Sequence, residues 1–479
     1  MKLSLRPVLL AAIAAASFGP VQPAAAAELP DPRIQEIVAA ISPQRIEQRI
    51  KALTAFGTRH TLSDTESPTR GIGAARRWIQ RELQDCSART GGRLQVEMDS
   101  FVEPAGRRMP RAAELVNVVA TLPGVSPASR DRLLVVSGHY DSRNSNVMDE
   151  KGEAPGANDD ASGTAVVMEL ACAMAAQRFD ATLVFMAVPG EEQGLLGATH
   201  WARQALAKGR RIEAMITNDI VGSPRGDAGQ HDPKQLRLFA DGLDPLLRLL
   251  NQARANQPGT ETEKAAIDAA LAPLQALAVA GGSEDLPTHQ LGRHLKAAGE
   301  RYLSGFTVNL IQRRDRYLRG GDHLPFLERG YAAVRFTEPF ENFAHQHQDL
   351  RTENGITYGD LPEFVDFSYV ANVARINAAG LASLAWAPAA PREVRLDASE
   401  LTNDSTLQWA PNTEPELAGY RIVWRATDAA TWQQARDVGL QTRVTLKGLS
   451  KDNVVFGVQA ISKSGHPSLA SYPLPLLRR

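Results

Sequence analysis

The sequence predicts an α/β domain, built on a mixed, mostly parallel sheet flanked by helices, and a small C-terminal all-β sandwich. Two observations lead to this fold class. From about residue 35 to residue 384, apolar helical stretches alternate with short apolar strands, which is typical of α/β proteins. After Trp386, the run Ala-Pro-Ala-Ala-Pro ends this pattern, and short strands separated by turn residues follow it.

The first predicted domain covers residues 28–385. Several of its strands are almost entirely apolar, as expected for strands covered by helices on both faces. The predicted strands are 94–101, 115–122, 132–138, 182–188, 214–220 and 331–337, and the predicted helices include 74–85, 164–176, 196–207 and 361–384. Residues 225–310 are richer in Gln, Ala and Gly and have helical apolar spacing over 243–277, so we expect a helical insertion or lid there.

The second predicted domain, residues 391–479, has strands at 407–409, 419–425, 443–447 and 454–462. It resembles a fibronectin type III module, with Trp409 at the position of the core tryptophan of strand B. It departs from that family at Val454, where a corner tyrosine is usual. Sandwich folds have no function by themselves. Two roles therefore stay open, a passive stabilising appendage or a module that contacts substrate protein, cell wall or a partner.

Charge and cysteine content exclude several classes of function. The 53 Lys and Arg residues nearly balance the 54 Asp and Glu residues, so we expect no nucleic-acid partner. Two cysteines are too few for a disulfide-dense scaffold or a Cys-rich zinc site. Cys172 lies in an apolar run and is expected to be a buried free thiol, while a pair with Cys86 requires the fold to bring them together. Any metal must be bound by His and carboxylates.

The N-terminal 27 residues have the pattern of a secretory signal peptide. Lys2 and Arg6 precede an apolar run, and an alanine-rich stretch offers a cleavage site. The apolar run is too short to span a bilayer, although an uncleaved anchor is the alternative interpretation. No later segment approaches 18 uninterrupted apolar residues. The mature chain is therefore expected to lack a membrane span and to be periplasmic or secreted.

Histidine and acidic side chains recur where predicted strands end, which is where open α/β sheets place their sites. His139 and Asp141 follow strand 132–138, and their i, i+2 spacing puts both on one face, so Asp141 can orient the imidazole. Asp159 lies in a loop of small residues before a helix. Asp160 or Ser162 in that loop is also typical of a residue that only caps the following helix and has no role in a site.

Three further strand ends carry candidate residues. The adjacent carboxylates Glu191 and Glu192 follow strand 182–188, and their repulsion is costly unless a cation or solvent relieves it. Asp219 ends an otherwise apolar strand. His345 follows the last predicted strand of this domain, and Asp349, four residues later, is placed to orient it.

Together these donors suit two divalent ions, with one bridging carboxylate and with one His and one further carboxylate for each ion. The five candidate ligands are His139, Asp159, Glu192, Asp219 and His345. Zinc binds this mixture of nitrogen and oxygen donors, so the sequence predicts two Zn²⁺ per chain. Glu191 is the remaining acid and is the candidate general base.

The ordered segments His139-Tyr140-Asp141, Gly156 to Gly163, Glu191-Glu192, Asn218-Asp219 and His345 with Asp349 resemble the signature of the M28 family of zinc aminopeptidases. The resemblance covers roughly residues 35–385. It implies that Asp159 bridges two zinc ions, that His139 and Asp219 complete one site, that Glu192 and His345 complete the other, and that Glu191 is the base. It also implies a cis peptide bond between Asp159 and Asp160. His323 and His347 are as consistent with structural or rim positions as with ligands.

The resemblance implies hydrolysis of N-terminal residues from peptides by a metal-activated water. Acidic groups around the site, including Asp219 and Glu191, suit a substrate with a free α-ammonium group. Some relatives stabilise the oxyanion with a tyrosine at the position of Ala344, which this chain lacks. Two alternatives stay open, a single-zinc acyltransferase similar to glutaminyl cyclase, and a binding protein that has kept the peptidase fold.

Overall fold

The computed structural model describes residues 30–241 and 260–476. The predicted signal peptide, 1–27, and residues 242–259 of the predicted insertion lie outside these ranges.

An eight-stranded mixed sheet forms the centre of the first domain, with the strand order β1-β2-β4-β3-β5-β8-β6-β7. Its four central strands, β4, β3, β5 and β8, are parallel, and antiparallel pairs join them to the outer strands on both sides. The bounds are β1 Gln95–Glu103, β2 Ala113–Leu122, β3 Arg132–His139, β4 Thr182–Val188, β5 Arg211–Asn218, β6 Gln235–Phe239, β7 Thr307–Ile311 and β8 Ala333–Thr337. The predicted α/β class is confirmed.

Helices cover both faces of this sheet. Several have an N-cap residue, such as Ser42 or Asp366, whose side chain accepts a hydrogen bond from a backbone N–H of the first turn. The described α-helices are α1 Pro32–Ala40, α2 Pro43–Thr54, α3 Gly71–Arg89, α4 Ala161–Met174, α5 Glu191–Gly194, α6 Leu196–Ala207, α7 Glu261–Leu277, α8 Pro287–Tyr302, α9 Leu324–Leu327 and α10 Phe367–Ala385. A π-helical turn, Ala278–Gly282, follows α7, and a 3₁₀ turn, Pro362–Phe364, precedes α10.

The apolar side chains of the central strands alternate between two cores. Leu134 and Val136 of β3 face the large core that contains α4 and α10, whereas Val135 faces a smaller core beneath α6. Because both faces are covered, the parallel strands are nearly continuous apolar sequences, and polar side chains are tolerated at their ends.

A disulfide joins Cys86 of α3 to Cys172 of α4, with a Cα–Cα distance of 5.2 Å. The expectation of a free thiol at Cys172 is therefore wrong. The two helices pack side by side on the same face of the sheet, which brings residues 86 positions apart into bonding distance.

The interpretation of residues 225–310 as a helical insertion needs a correction. This segment supplies two strands of the main sheet, β6 and β7, as well as α7 and α8. The two strands are only five residues long, and helical spacing in the longer flanking segments obscured them.

One described segment, Glu261–Gly282, meets the length and composition of a membrane-crossing helix, which is weak evidence for a span when it stands alone. It contains acidic and basic side chains at its start, so it was not an uninterrupted apolar run in the sequence.

Two small sheets follow α10 and share one hydrophobic core, with the orders β15-β12-β11-β17 and β14-β13-β16. Trp409 and Tyr420 meet edge to face in this core, with ring centroids 5.3 Å apart. The bounds are β11 Arg392–Asp397, β12 Ser405–Ala410, β13 Leu417–Ala426, β14 Gln434–Gly439, β15 Arg443–Leu446, β16 Val454–Ser462 and β17 Leu474–Leu476, and a separate hairpin consists of β9 Arg351–Glu353 and β10 Ile356–Tyr358. The fibronectin type III likeness stays a prediction.

Candidate metal centre

The carboxyl ends of the parallel strands bring acidic and histidine side chains together. His139 is the last residue of β3, Glu191 and Glu192 follow β4, and Asp219 follows β5. The loop before α4 places Asp159 against the same edge. These positions are adjacent because β4, β3 and β5 are neighbours in the sheet.

The donors form two groups that share Asp159. In the first group, His139 Nε2 lies 3.1 Å from Asp159 Oδ1 and 3.9 Å from Asp219 Oδ1. In the second group, His347 Nε2 lies 2.8 Å from Asp159 Oδ2 and 2.9 Å from Glu192 Oε1. Each oxygen of the Asp159 carboxylate therefore faces a different group, which is the arrangement of a bridging ligand.

The residues present fit zinc. Three buried atoms at the centre of the groups have no hydrogen-bond partner among the residues that the structure describes, although other polar atoms lie close by. They are His139 Nε2, Glu192 Oε1 and His347 Nε2. Leaving buried polar atoms unpaired is costly unless a ligand binds them. Imidazole nitrogens and carboxylate oxygens in groups of three match the first coordination shell of a zinc ion that keeps open positions.

His345 lies outside both groups, and His347 occupies the ligand position that was predicted for His345. The His345 ring stacks on Phe364 with centroids 3.6 Å apart, and its backbone N–H closes a turn on Asn342. The chain then turns through a positive φ of 53° at His347, which directs that imidazole to Asp159. Loop geometry of this kind leaves no periodic signal in the sequence, although the pair of histidines two residues apart was visible there.

Asp349 also differs from its prediction. Its carboxylate accepts hydrogen bonds from the backbone N–H and the hydroxyl of Ser145, at 3.3 and 2.9 Å, and orients neither histidine. His323 is fully buried and its Nε2 contacts the carbonyl of Arg314 at 2.7 Å, so it is a structural residue.

Asp141 lies where the sequence placed it, beside His139. One carboxylate oxygen is 3.4 Å from His139 Nδ1. The same carboxylate accepts hydrogen bonds from the backbone N–H groups of Glu191 and Glu192, at 3.3 and 3.2 Å. This one buried side chain thus fixes both the imidazole and the segment that carries the two glutamates.

The loop that carries Asp159 is held by a carboxylate that sequence reasoning missed. Asp360 accepts hydrogen bonds from the backbone N–H groups of Asn158 and Asp159, at 2.8 and 2.7 Å. The Asp159–Asp160 peptide bond is cis, as the resemblance implied. Asp160 caps α4 through the Gly163 N–H at 2.9 Å and also accepts from the His139 N–H.

A buried arginine supports the first group. Arg335 of β8 is fully buried, and it lies 2.8 Å from Asp219 Oδ1 and 3.0 Å from Asp315 Oδ2. Burial raises the pKa of Asp219, but the Arg335 guanidinium and His139 outweigh that effect and hold the pKa below its ordinary value. Arg335 therefore keeps Asp219 in the ionised form that binds a cation.

Glu191 stands apart from the ligand groups at the start of α5. Burial raises its pKa well above the ordinary value, and the nearby carboxylates Asp219 and Glu192 raise it further. Within the described residues its carboxylate contacts no arginine. A carboxylate with a raised pKa in such a setting is suited to accept and return a proton near neutral pH.

The chain is similar in sequence to known zinc metalloproteases. The sequence pattern described as "Peptidase family M28" matches residues 117–270. A protein of Pyrenophora tritici-repentis named "Probable zinc metalloprotease" is 45% identical over 93% of this chain and 88% of its own length. One of Pyricularia oryzae with the same name is 44% identical over 95% and 87%.

Among solved structures, the Legionella pneumophila LapA aminopeptidase is 18% identical, covers 74% of this chain and 75% of its own, and has a TM-score of 0.49. The Macrostomum lignano glutaminyl cyclase is 16% identical, covers 73% and 91%, and has a TM-score of 0.47. Its sequence relatives identify the chain as a zinc metalloprotease. On the identity and length of its sequence relatives, the chain belongs to peptidase family M28.

Proposed function

We propose that this protein is an exported aminopeptidase that uses two zinc ions to remove N-terminal residues from peptides. The observation that carries the proposal is the Asp159 carboxylate, whose two oxygens face two separate groups of donors. A shared carboxylate between two three-donor groups is what a dinuclear site requires, and a mononuclear site has no use for it.

Bound zinc would supply Lewis acidity, lowering the pKa of a water and polarising the scissile carbonyl. The protein's own residues would do the rest. Glu191 would take the proton from the attacking water and return it to the leaving amine. Asp141 would hold Glu191 and His139 in fixed positions relative to each other. It accepts a hydrogen bond from the Glu191 N–H and contacts the His139 imidazole.

A free N-terminus on the substrate is favoured by the acidity of the site. Glu191 and Glu192 are adjacent, and no arginine contacts the Glu191 carboxylate within the described residues. A substrate ammonium group would be attracted to the Glu191 carboxylate, whereas an internal peptide bond offers no such charge.

Export is proposed on two features. Residues 1–27 have the pattern of a signal peptide, and the Cys86–Cys172 disulfide is typical of an oxidising compartment. We place the protein in the periplasm or outside the cell. The two C-terminal sheets would contact a protein or the cell wall while the first domain hydrolyses peptides.

Matched substrates test the exopeptidase proposal. Aminoacyl chromogenic amides and their N-acetylated counterparts should be assayed in parallel, together with a peptide that has an N-terminal glutamine. We expect release of free amino acids from the unblocked substrates alone. Cleavage of the acetylated substrates at the same rate would contradict exopeptidase action, and cyclisation of the glutamine without hydrolysis would favour an acyltransferase.

A further inference from the structure

The second donor group contains a cation of its own. Arg143 Nε donates to Glu192 Oε2 at 2.9 Å, and Arg143 Nη2 lies 2.6 Å from His347 Nδ1. Within residues 30–241 and 260–476, the Arg143 guanidinium has no further hydrogen-bond or ion-pair partner. One arginine thus contacts two of the three members of this group.

This arrangement conflicts with metal binding by His347. A guanidinium only donates hydrogen bonds, so Arg143 and Nδ1 of His347 form a hydrogen bond only while Nδ1 carries no proton. A neutral imidazole that binds a metal through Nε2 carries its proton on Nδ1. The Nδ1 proton and the Arg143 N–H would then point at each other. His347 can therefore bind a metal only after Arg143 has moved away.

Arg143 is less enclosed than Arg335, the arginine of the first group. Its side chain is 20% exposed, so a path to solvent exists. Arg335 is fully buried and is also bound by Asp315, a carboxylate outside both donor groups. Arg335 therefore remains in place when Asp219 binds a cation, whereas Arg143 loses its acceptor on His347.

We propose that Arg143 is a displaceable internal cation that weakens the second metal site relative to the first. The inference rests on the proposed dinuclear function. The group His139, Asp159 and Asp219 fills first, and the group Asp159, Glu192 and His347 fills only when Arg143 swings out toward solvent. Occupancy of the second site, and with it the fully loaded enzyme, then depends on the available zinc concentration.

The test is a Zn²⁺ titration of the full, metal-stripped protein, with affinities from competition with a chromophoric chelator and ion counts from native mass spectrometry. The wild type should bind two ions, the second at least about tenfold more weakly. In Arg143→Gln, the amide oxygen can accept from the Nδ1–H of His347, so we expect about tenfold tighter binding of the second ion, equivalent to ~1.4 kcal/mol. Arg143→Lys keeps the charge and should behave like the wild type.

Arg108→Gln is the matched control, because Arg108 donates only to the backbone carbonyl of Glu192, at 2.8 Å. It removes an equal charge nearby without freeing a ligand, so its second-site affinity should stay at the wild-type value. An unchanged or weaker second site in Arg143→Gln would overturn the inference and leave the dinuclear proposal standing. Absence of a second ion from every variant at saturating zinc would overturn both.

Discussion

Two clusters of buried charge in this molecule differ in whether their carboxylate oxygens are paired. At the metal centre, Glu192 Oε1 has no hydrogen-bond partner among the described residues, nor do His139 Nε2 and His347 Nε2. At the junction between α8 and the C-terminal sheets, both oxygens of Asp285 are occupied. Arg293 binds one at 3.0 Å and Arg425 binds the other at 2.7 Å.

The difference distinguishes a cluster that can bind a ligand from a cluster that joins two parts of the protein. Asp285 and Arg425 lie on opposite sides of the domain junction, so their ion pair joins the two units and leaves no carboxylate oxygen for a ligand. The metal centre is also largely buried, but it holds more carboxylate oxygens and imidazole nitrogens than there are N–H groups to pair with them. The Asp285 cluster is a closed cluster, which contributes to holding the structure together. The metal centre is an open cluster, whose unpaired carboxylate and imidazole atoms can bind a cation.

The largest effect is expected at the open cluster. Glu191→Gln should reduce kcat by roughly 100-fold or more, because the amide cannot accept the proton from water. Zinc content should stay at the wild-type value, since Glu191 lies outside both donor groups. Steady-state kinetics and metal analysis on the same preparation measure both quantities.

Glu192→Gln is the matched variant and should lower the zinc content, since Glu192 belongs to the second group. If Glu191→Gln lost zinc while Glu192→Gln kept it, the roles of base and ligand would be reversed.

At the closed cluster, Asp285→Asn should lower the free energy of unfolding by about 3–5 kcal/mol, because it leaves two buried guanidinium groups without their counter-charge. Urea denaturation measures this loss. Zinc content of the folded variant should be unchanged. Glu261→Gln breaks the exposed ion pair with Lys264 and should change stability little. A similar result for both substitutions would show that the junction cluster contributes nothing beyond a surface pair.

The disulfide is a third buried feature, and we expect it to affect stability but not zinc binding. Replacing Cys86 and Cys172 together with Ser should lower the free energy of unfolding by about 2–4 kcal/mol, since the cross-link constrains the unfolded chain. Activity of the folded variant should persist, because the bond joins α3 to α4 away from both donor groups. Detection of two free thiols in the native protein would contradict the pairing.

Sequence reasoning was effective where residues follow strands. His139, Glu192 and Asp219 were predictable because parallel strands end at one edge, and their neighbourhood follows from that topology. His347 was not, since the choice between residues 345 and 347 depends on a turn with positive φ. The fold class was similarly readable, while the two short strands β6 and β7 were hidden among residues with helical spacing.

The residues that hold the candidate ligands in place could not be predicted from the sequence, for a different reason. Asp360 lies about 200 residues from the Asp159 backbone that it holds, and Arg335 lies 116 residues from Asp219. An arginine or aspartate in the sequence gives no sign of a partner so distant. Only packing in three dimensions reveals which buried charges are paired and which stay open.

The most direct test of the open cluster is metal analysis of the purified protein at equilibrium with zinc, at a free zinc concentration above that needed for the weaker site. The wild type should hold two zinc ions per chain, and Asp159→Asn, which alters the one carboxylate shared by both groups, should lose zinc from both sites. A wild type with a single ion at saturation, or an Asp159→Asn protein that keeps two ions with unchanged affinity, would contradict a bridged dinuclear centre.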